Sequence, residues 1–468
     1  MKSNEGDVIM NCRTEKDYLG ECLIPEDAYY GVTTQRALEL FPSTGEILDD
    51  KFIWAYFMIK KSAAILNSQL GYLDNQIAQA IQKACDEWEK LKSYIVVDPL
   101  SGGAGTSVNL NVNEVIANRA TELLGGKKGE YIVNPYNHVN LHQSTNDTFV
   151  TAGKIAVIVR LRELVEAVIK LQEKIQEKEK EFYSIRTIAR TQLMDGVPIL
   201  MGQQFGAWAD ALARDRWRLN KVEERIRSVN IGGTAIGTGI GAPKEYVLKI
   251  VDVLRQVTNV KIAKSENLID ATQNLDVFVE IHGLIKALGV NLFKISNDIR
   301  LLGSGPNAAI GELELPKVQI GSSIMPGKVN PVIPEYVMQL VLAVFGHDEA
   351  ISHATAQGNL QLNQFAPLIV HYTLKSMQFL SKACNSLSDY IAQIKVKEEK
   401  CKEHLKKSTA NLTPLINYFG YEKVAEKIVQ TNWDIEKTIE MLAKEEGISS
   451  QELVKKLNID KMTGLGYY

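Results

Sequence analysis

The segment Gly321-Ser322-Ser323-Ile324-Met325-Pro326-Gly327-Lys328-Val329-Asn330-Pro331 sets two adjacent serines, a lysine and an asparagine among glycines and prolines. An activated hydroxyl can serve as a base or nucleophile, and an ammonium beside an amide can hold a carboxylate. With Gly303, Gly305 and Gly311 upstream, the glycines allow a segment that closes over substrate and expels water. Three further polar clusters adjoin long helical patterns: Gly102-Gly103-Ala104-Gly105-Thr106-Ser107-Val108-Asn109, Gln143-Ser144-Thr145-Asn146-Asp147, and Arg190-Thr191-Gln192-Leu193. Any one of them taken alone also reads as a capped helix start. Together, short neutral donors with one lysine suit a small dianion, because each carboxylate oxygen accepts two hydrogen bonds without an excess of buried positive charge. A helix beginning near 331–334 would aim its positive end at Lys328 and the same ligand.

Such clusters need rigid elements to hold them. Ile158, Leu161, Val165, Val168, Leu171 and Ile175 recur at steps of three or four, which predicts a long helix over 151–182, ~48 Å at 1.5 Å per residue. A second helix is expected to start at Pro198 and run to 227. A third is expected over 271–302, where Val277, Phe278, Ile281, Leu284, Ile285 and Leu288 leave little polar surface, and a fourth over 334–357. Four long helices with short connections predict a bundle, and their surplus of apolar surface points to packing between subunits. Beyond Lys397 the pattern shortens to helices over 421–430 and 434–446, which suggests a small C-terminal domain. The division expected is 1–147, 148–396 and 397–468: a mixed, mainly helical part, a long-helix bundle and a small helical part.

The totals narrow the partners. With 53 basic and 56 acidic side chains the net charge is −3, which gives no reason to expect nucleic acid or an anionic membrane. Five cysteines, none in a CxxC pair, read as free thiols in a reducing cytoplasm. Residues 1–10 show no basic end followed by an apolar run, so no signal peptide is expected. The seven histidines form no ligand spacing, so no catalytic metal is expected. Gly237-Thr238-Gly239-Ile240-Gly241-Ala242 fits a dinucleotide fingerprint, but no convincing strand precedes it and a nucleotide site is rejected.

Ala104-Gly105-Thr106-Ser107 with Asn109 and Asn113-Glu114-Val115-Ile116-Ala117-Asn118-Arg119 resembles the first signature of the aspartase/class II fumarase superfamily. His138-Val139-Asn140 with Gln143 to Asp147 resembles the second, and Gly321 to Asn330 is similar to the superfamily's mobile serine loop. The likeness runs from Leu19-Gly20-Glu21 to Gly420-Tyr421-Glu422. The resemblance implies an all-α, three-domain subunit and a homotetramer with a core of packed helices, whose active sites are built from three chains. It implies reversible β-elimination of ammonia or water from an acid, with no cofactor. By position, Ser322 would be the base. Lys328, Asn330, Thr191 and Asn146 would hold the α-carboxylate, and Thr106, Ser144, Thr145 and Ser323 the β-carboxylate, with Met325 in the same loop.

Fumarases of this superfamily carry Thr-His in the third cluster, and that histidine pairs with a glutamate matching Glu335. This chain has Gln192, which can hydrogen-bond an ammonium group but cannot shuttle a proton as imidazole does. A carbon–nitrogen lyase acting on L-aspartate is therefore expected, with an ergothionase-like amine lyase as the alternative, ahead of a fumarase or a catalytically silent paralogue. Val150, Gln204, Gly241 and Asn307 depart from the usual pattern, and Gln393-Ile394-Lys395 replaces Gly-Ile-Thr. Lys395 facing the site would suit a different β-substituent, as in ergothionase, a relative that expels trimethylamine from ergothioneine. Trp54, Tyr56 and Tyr72 are the aromatic residues considered for a quaternary amine, with core packing as the competing reading.

Overall fold

Apolar stripes at helical spacing dominate the chain, and the computed structural model, which describes residues 11–466, is all-α apart from four two-stranded sheets. Residues 1–10, read above for a signal peptide, lie outside the described residues. The principal elements begin with β1 (Cys12–Asp17), β2 (Gly20–Pro25), α1 (Val32–Leu40), α2 (Asp50–Gln69), α3 (Asn75–Asp86), α4 (Thr106–Leu123) and α5 (Thr145–Glu181). They continue with β3 (Arg186–Thr191), β4 (Met194–Leu200), α6 (Met201–Ile226), β5 (Ser228–Val229), α7 (Lys244–Thr258), β6 (Ala263–Lys264), α8 (Leu268–Gln273) and α9 (Asp276–Leu302). The last are β7 (Leu313–Glu314), α10 (Val332–Ala356), α11 (Ala366–Ile391), β8 (Lys395–Val396), α12 (Glu398–Lys407), α13 (Tyr421–Gln430), α14 (Ile435–Glu446) and α15 (Ser450–Lys456). No helix of the described residues is long and apolar enough to cross a membrane.

The structure departs from the expected elements at several points. Pro198 does not begin a helix: it sits in β4 opposite Ile188, in a two-stranded ribbon where a missing N–H is tolerated, and the helix starts at Met201. The helix expected over 271–302 is broken, because Asn274 is extended (φ −105°, ψ 124°) and caps α8, so α9 begins only at Asp276. A fifth long helix, α11, was not foreseen; its buried Ile369, Val370, Met377, Leu380, Cys384 and Leu387 carry the same spacing as the other four.

The chain divides into two compact units. The first takes residues up to Glu166, Trp217–Ala287 and Leu342–Ser381. In it α2 is buried almost all round, through Phe52, Tyr56, Phe57 and Ile59. The signature residues of α4 hold this unit together. The buried Glu114 carboxylate accepts from Gly31 N at 2.8 Å, Thr33 N at 2.8 Å, Thr34 N at 3.1 Å and Thr34 Oγ1 at 2.6 Å, and Glu15 Oε2 accepts from Val32 N at 3.1 Å, so two carboxylates satisfy the open N–H groups at the start of α1. Asn118 donates to Tyr29 O at 2.8 Å, and Arg119 makes a two-pronged bond to Glu87.

A polar chain crosses the same unit. His282 Nδ1 lies 2.8 Å from Asp348, its Nε2 2.9 Å from Ser376 Oγ, and His347 Nδ1 2.9 Å from that same oxygen. Burial, reinforced by His282, pushes the His347 pKa from 6.5 down to about 4. A depressed histidine stabilises the fold above its unfolded pKa and loses that contribution as pH falls from 6.5 towards 4. Allowing for solvent screening, about 2 kcal/mol is expected to disappear across this window. Urea unfolding of the wild type and of His347→Phe at pH 7 and pH 5 tests this; equal losses in the two proteins would refute it.

The second unit takes Ala167–Arg216, Leu288–Val341 and the chain from Lys382. Phe182, Phe205 and Trp208 pack edge to face or tilted, and Trp208 Nε1 donates to Asp298 at 3.1 Å. The C-terminal helices bury a core of their own, including Leu412, Leu415, Leu442 and Leu453.

Candidate active site

In the first unit the loops before α4 and α5 converge. Gly105 caps α4 at φ +88°, and a Cβ there would lie 2.2 Å from the Phe149 ring of α5, so only glycine permits this approach. Thr106 is exposed in the first turn of α4. One turn on, Asn109 Nδ2 donates to Thr145 Oγ1 at 3.1 Å, which joins the first turn of α4 to that of α5. Ser144 and Asn146 flank Thr145, so Thr106, Ser144, Thr145 and Asn146 gather at two neighbouring helix N-termini, a setting that attracts anions.

Two buried ionic groups, to which the sequence reading gave no role, organise this ground. Asp147 accepts from Ser144 N at 3.0 Å, Gly232 N at 3.0 Å and Thr234 N at 2.9 Å; burial outweighs these bonds and raises its pKa to about 6. Asn146 donates to Ala235 O at 2.7 Å, so the loop after β5 is tied to the start of α5. Lys60, fully buried in α2, donates to Asn109 Oδ1 at 2.7 Å, Asn140 Oδ1 at 3.0 Å and Gln143 Oε1 at 3.0 Å. Burial pulls its pKa down to about 7, while Asp147 favours the charged form. Three acceptors facing three N–H bonds also favour the ammonium. Lys60 gave little signal because it ends an apolar run and stands beside Lys61, which pairs with Asp86 at 2.5 Å on the partly exposed side.

In the second unit Thr191 ends β3, and the two-residue turn Gln192-Leu193 (φ +55° and +65°) leads into β4. Both turn residues are left-handed, as a type I′ hairpin requires. Arg190 is fixed behind them by a two-pronged bond to the buried Glu312, at 2.6 and 3.1 Å, and His404 lies 2.7 Å from the same carboxylate. Glu312 starts the segment that leads through β7 to the serine loop. That loop is closed at its neck by Gly321 N to Lys328 O at 2.9 Å and Asn330 Nδ2 to Gly321 O at 2.8 Å. A Cβ on Gly321 would fall 2.7 Å from Lys328 O, so the neck requires glycine. Inside the loop, Ser322 Oγ accepts from Ile324 N at 3.2 Å and Met325 N at 2.9 Å. Ser323, Met325 and Lys328 are exposed, and α10 starts at Val332, just beyond the neck. Glu335, in the first turn of α10, lies 3.8 Å from Arg300. Lys395 is exposed in β8, opposite Glu314 of β7.

The structure thus brings Thr106, Ser144, Thr145 and Asn146 together in one unit, and Ser322, Ser323, Met325, Lys328 and Asn330 in one loop of the other. Of the aromatic residues considered for a quaternary amine, Tyr56 is core, with its hydroxyl 3.1 Å from Thr148 Oγ1. Tyr72 packs edge-on to His142 and is half exposed.

Comparison with known proteins fits these elements. Residues 20–346 match the family model described as Lyase. The chain is 41% identical to "Aspartate ammonia-lyase" of Bacillus sp, over 97% of this chain and 98% of that one. Among solved structures it superposes on a "fumarate lyase:delta crystallin" from Brucella melitensis bound to cobalt with a TM-score of 0.92 and 39% identity, covering 97% of this chain and 100% of that one. On a class II fumarase from Schistosoma mansoni the TM-score is 0.90 at 28% identity, covering 97% of this chain and 99% of that one. The chain therefore belongs to the Lyase family, within the aspartase/class II fumarase superfamily.

Proposed function

We propose that this chain is a carbon–nitrogen lyase that removes ammonia from L-aspartate and releases fumarate. The observation that carries the reading is its near-full-length likeness to Aspartate ammonia-lyase at 41% identity. The fumarase superposition is at 28%, and Gln192 offers an amide at the hairpin tip where a proton-shuttling histidine would suit hydration.

In this reading the Ser322 alkoxide takes a proton from Cβ, and the electron pair of the C–H bond spreads into the β-carboxylate as an enediolate. That pair then forms the double bond while the Cα–N bond breaks and the amine leaves. The two N–H groups at Ser322 Oγ, with Lys328 in the same loop, support negative charge on that oxygen. Thr106, Ser144, Thr145 and Ser323 hold the β-carboxylate, where charge grows. Lys328, Asn330, Thr191 and Asn146 hold the α-carboxylate, and Gln192 meets the departing nitrogen. Met325 and Glu335 line the site, and Lys395 stands at its C-terminal side. The reading includes a cytoplasmic homotetramer whose subunit divides at 147 and 396, with sites completed by three chains and no cofactor.

The test offers the purified protein L-aspartate, ergothioneine and L-malate separately and follows the ultraviolet absorbance of the unsaturated product. Turnover of L-aspartate is expected. Product from ergothioneine alone or from L-malate alone would overturn the proposal.

A further inference from the structure

We propose that Lys60 is a positioning residue: through Asn109 it fixes the Thr145 hydroxyl as a hydrogen-bond donor to the substrate carboxylate. The inference rests on the reading of Thr145 as a carboxylate ligand.

An ammonium inside an apolar helix is costly unless it serves something, and a methionine of similar length would pack at Lys60 with less penalty. No carboxylate of the described residues lies within ion-pair distance of Lys60 Nζ. Its three N–H bonds are spent on amide oxygens, of Asn109, Asn140 and Gln143. This sets the direction of a chain. A donor at Asn109 Oδ1 forbids the flipped amide, which would bring N–H against N–H, so Nδ2 must face Thr145 Oγ1, 3.1 Å away. Thr145 Oγ1 is then an acceptor on its inner side, and its own proton must point elsewhere. No group among the described residues accepts that proton. It is free for a carboxylate at the helix N-termini, and the positive charge behind the chain polarises each link towards donation. The other two bonds of Lys60 hold Asn140 and Gln143, the residues that lead into Ser144.

The experiment measures succinate binding, as an unreactive dicarboxylate, by calorimetry on the intact protein. Thr145→Ala and Lys60→Met are each expected to weaken it about tenfold. Because both cut the same chain, Lys60→Met made on top of Thr145→Ala should weaken binding less than about twofold further. Asn109→Asp keeps the shape and gives Lys60 an ion pair, which offsets the lost bond from Asn109 Nδ2 to Asn140 Oδ1 (3.2 Å), but it turns the donor at Thr145 into an acceptor. Binding should again fall about tenfold while thermal stability holds or rises, a combination that a purely structural lysine does not produce. If Lys60→Met fails to fold, Asn109→Asp carries the test alone. Wild-type affinity in Asn109→Asp, or a further loss of fivefold or more in the double variant, would overturn the inference. If the wild type turns over L-aspartate and binds succinate, such results remove only the role of Lys60; if it does neither, the lyase reading falls and takes this inference with it.

Discussion

Ser322→Ala is expected to lower turnover of L-aspartate about 1,000-fold or more while the protein folds as before. The size of the loss follows from the chemistry. A carbon acid flanked by a carboxylate gives up its proton only to a strong base held at the right atom, and alanine has none. The specificity of the loss follows from the loop. The hydroxyl accepts from Ile324 N and Met325 N in an exposed segment, where water can replace it at no cost to the fold. The bonds that shape the neck run between Gly321, Lys328 and Asn330 and do not involve the serine side chain. Substrate affinity should therefore change little, because the residues proposed to hold the carboxylates are untouched. Initial rates from ultraviolet absorbance, with succinate affinity measured beside them, separate the two effects. A variant within tenfold of wild-type turnover would remove Ser322 as the base and leave the loop only a binding role.

The contrast between this serine and the buried groups shows what a sequence can and cannot display. Ser322, Lys328 and Asn330 stood out because an ammonium, an amide and a hydroxyl set among glycines and prolines suit chemistry, although Asn330 also closes the neck of the loop and Ser322 Oγ accepts two of its N–H groups. The helix now running from Thr145 to Glu181 was legible from its apolar stripe, and its true start is six residues earlier than expected. There, Ser144 and Asp147 cap the first turn, and polar caps interrupt the stripe. The hairpin at Thr191 was hidden, because its left-handed turn is made by Gln192 and Leu193 rather than by glycine or asparagine, and Pro198 suits a helix start as well as an edge strand. Lys60 and Lys61 are adjacent and chemically identical, yet one is fully buried and the other reaches Asp86. Only packing from elsewhere in the chain distinguishes them. Glu312 likewise gives no local sign that it anchors Arg190 behind the hairpin tip. The role of each site residue came from family resemblance; spacing alone showed only where polar groups concentrate.

Asp147→Asn is expected to destabilise the protein by about 2–4 kcal/mol and to raise KM for L-aspartate. The carboxylate presents one oxygen to Ser144 N and the other to Gly232 N and Thr234 N. Asparagine has the same shape but only one oxygen, so whichever way the amide turns, its NH2 meets at least one backbone N–H. Relief of the buried charge offsets part of this penalty, because burial already raises the pKa of Asp147 to about 6. That raised value gives a second, independent signature. Between 3.8 and about 6 the folded protein keeps a proton that the unfolded chain has released, so this group's contribution is full below that window and declines as pH rises through it. The asparagine variant should lose this part of the pH dependence. KM should rise because the same carboxylate holds the start of α5, where Ser144, Thr145 and Asn146 sit, against the loop that binds Asn146. Urea unfolding at fixed protein concentration, at pH 4.5 and pH 7, together with initial-rate kinetics, reads all three consequences. Unchanged stability with unchanged KM would mean that the three N–H groups find other acceptors, and that the first turn of α5 is positioned without Asp147.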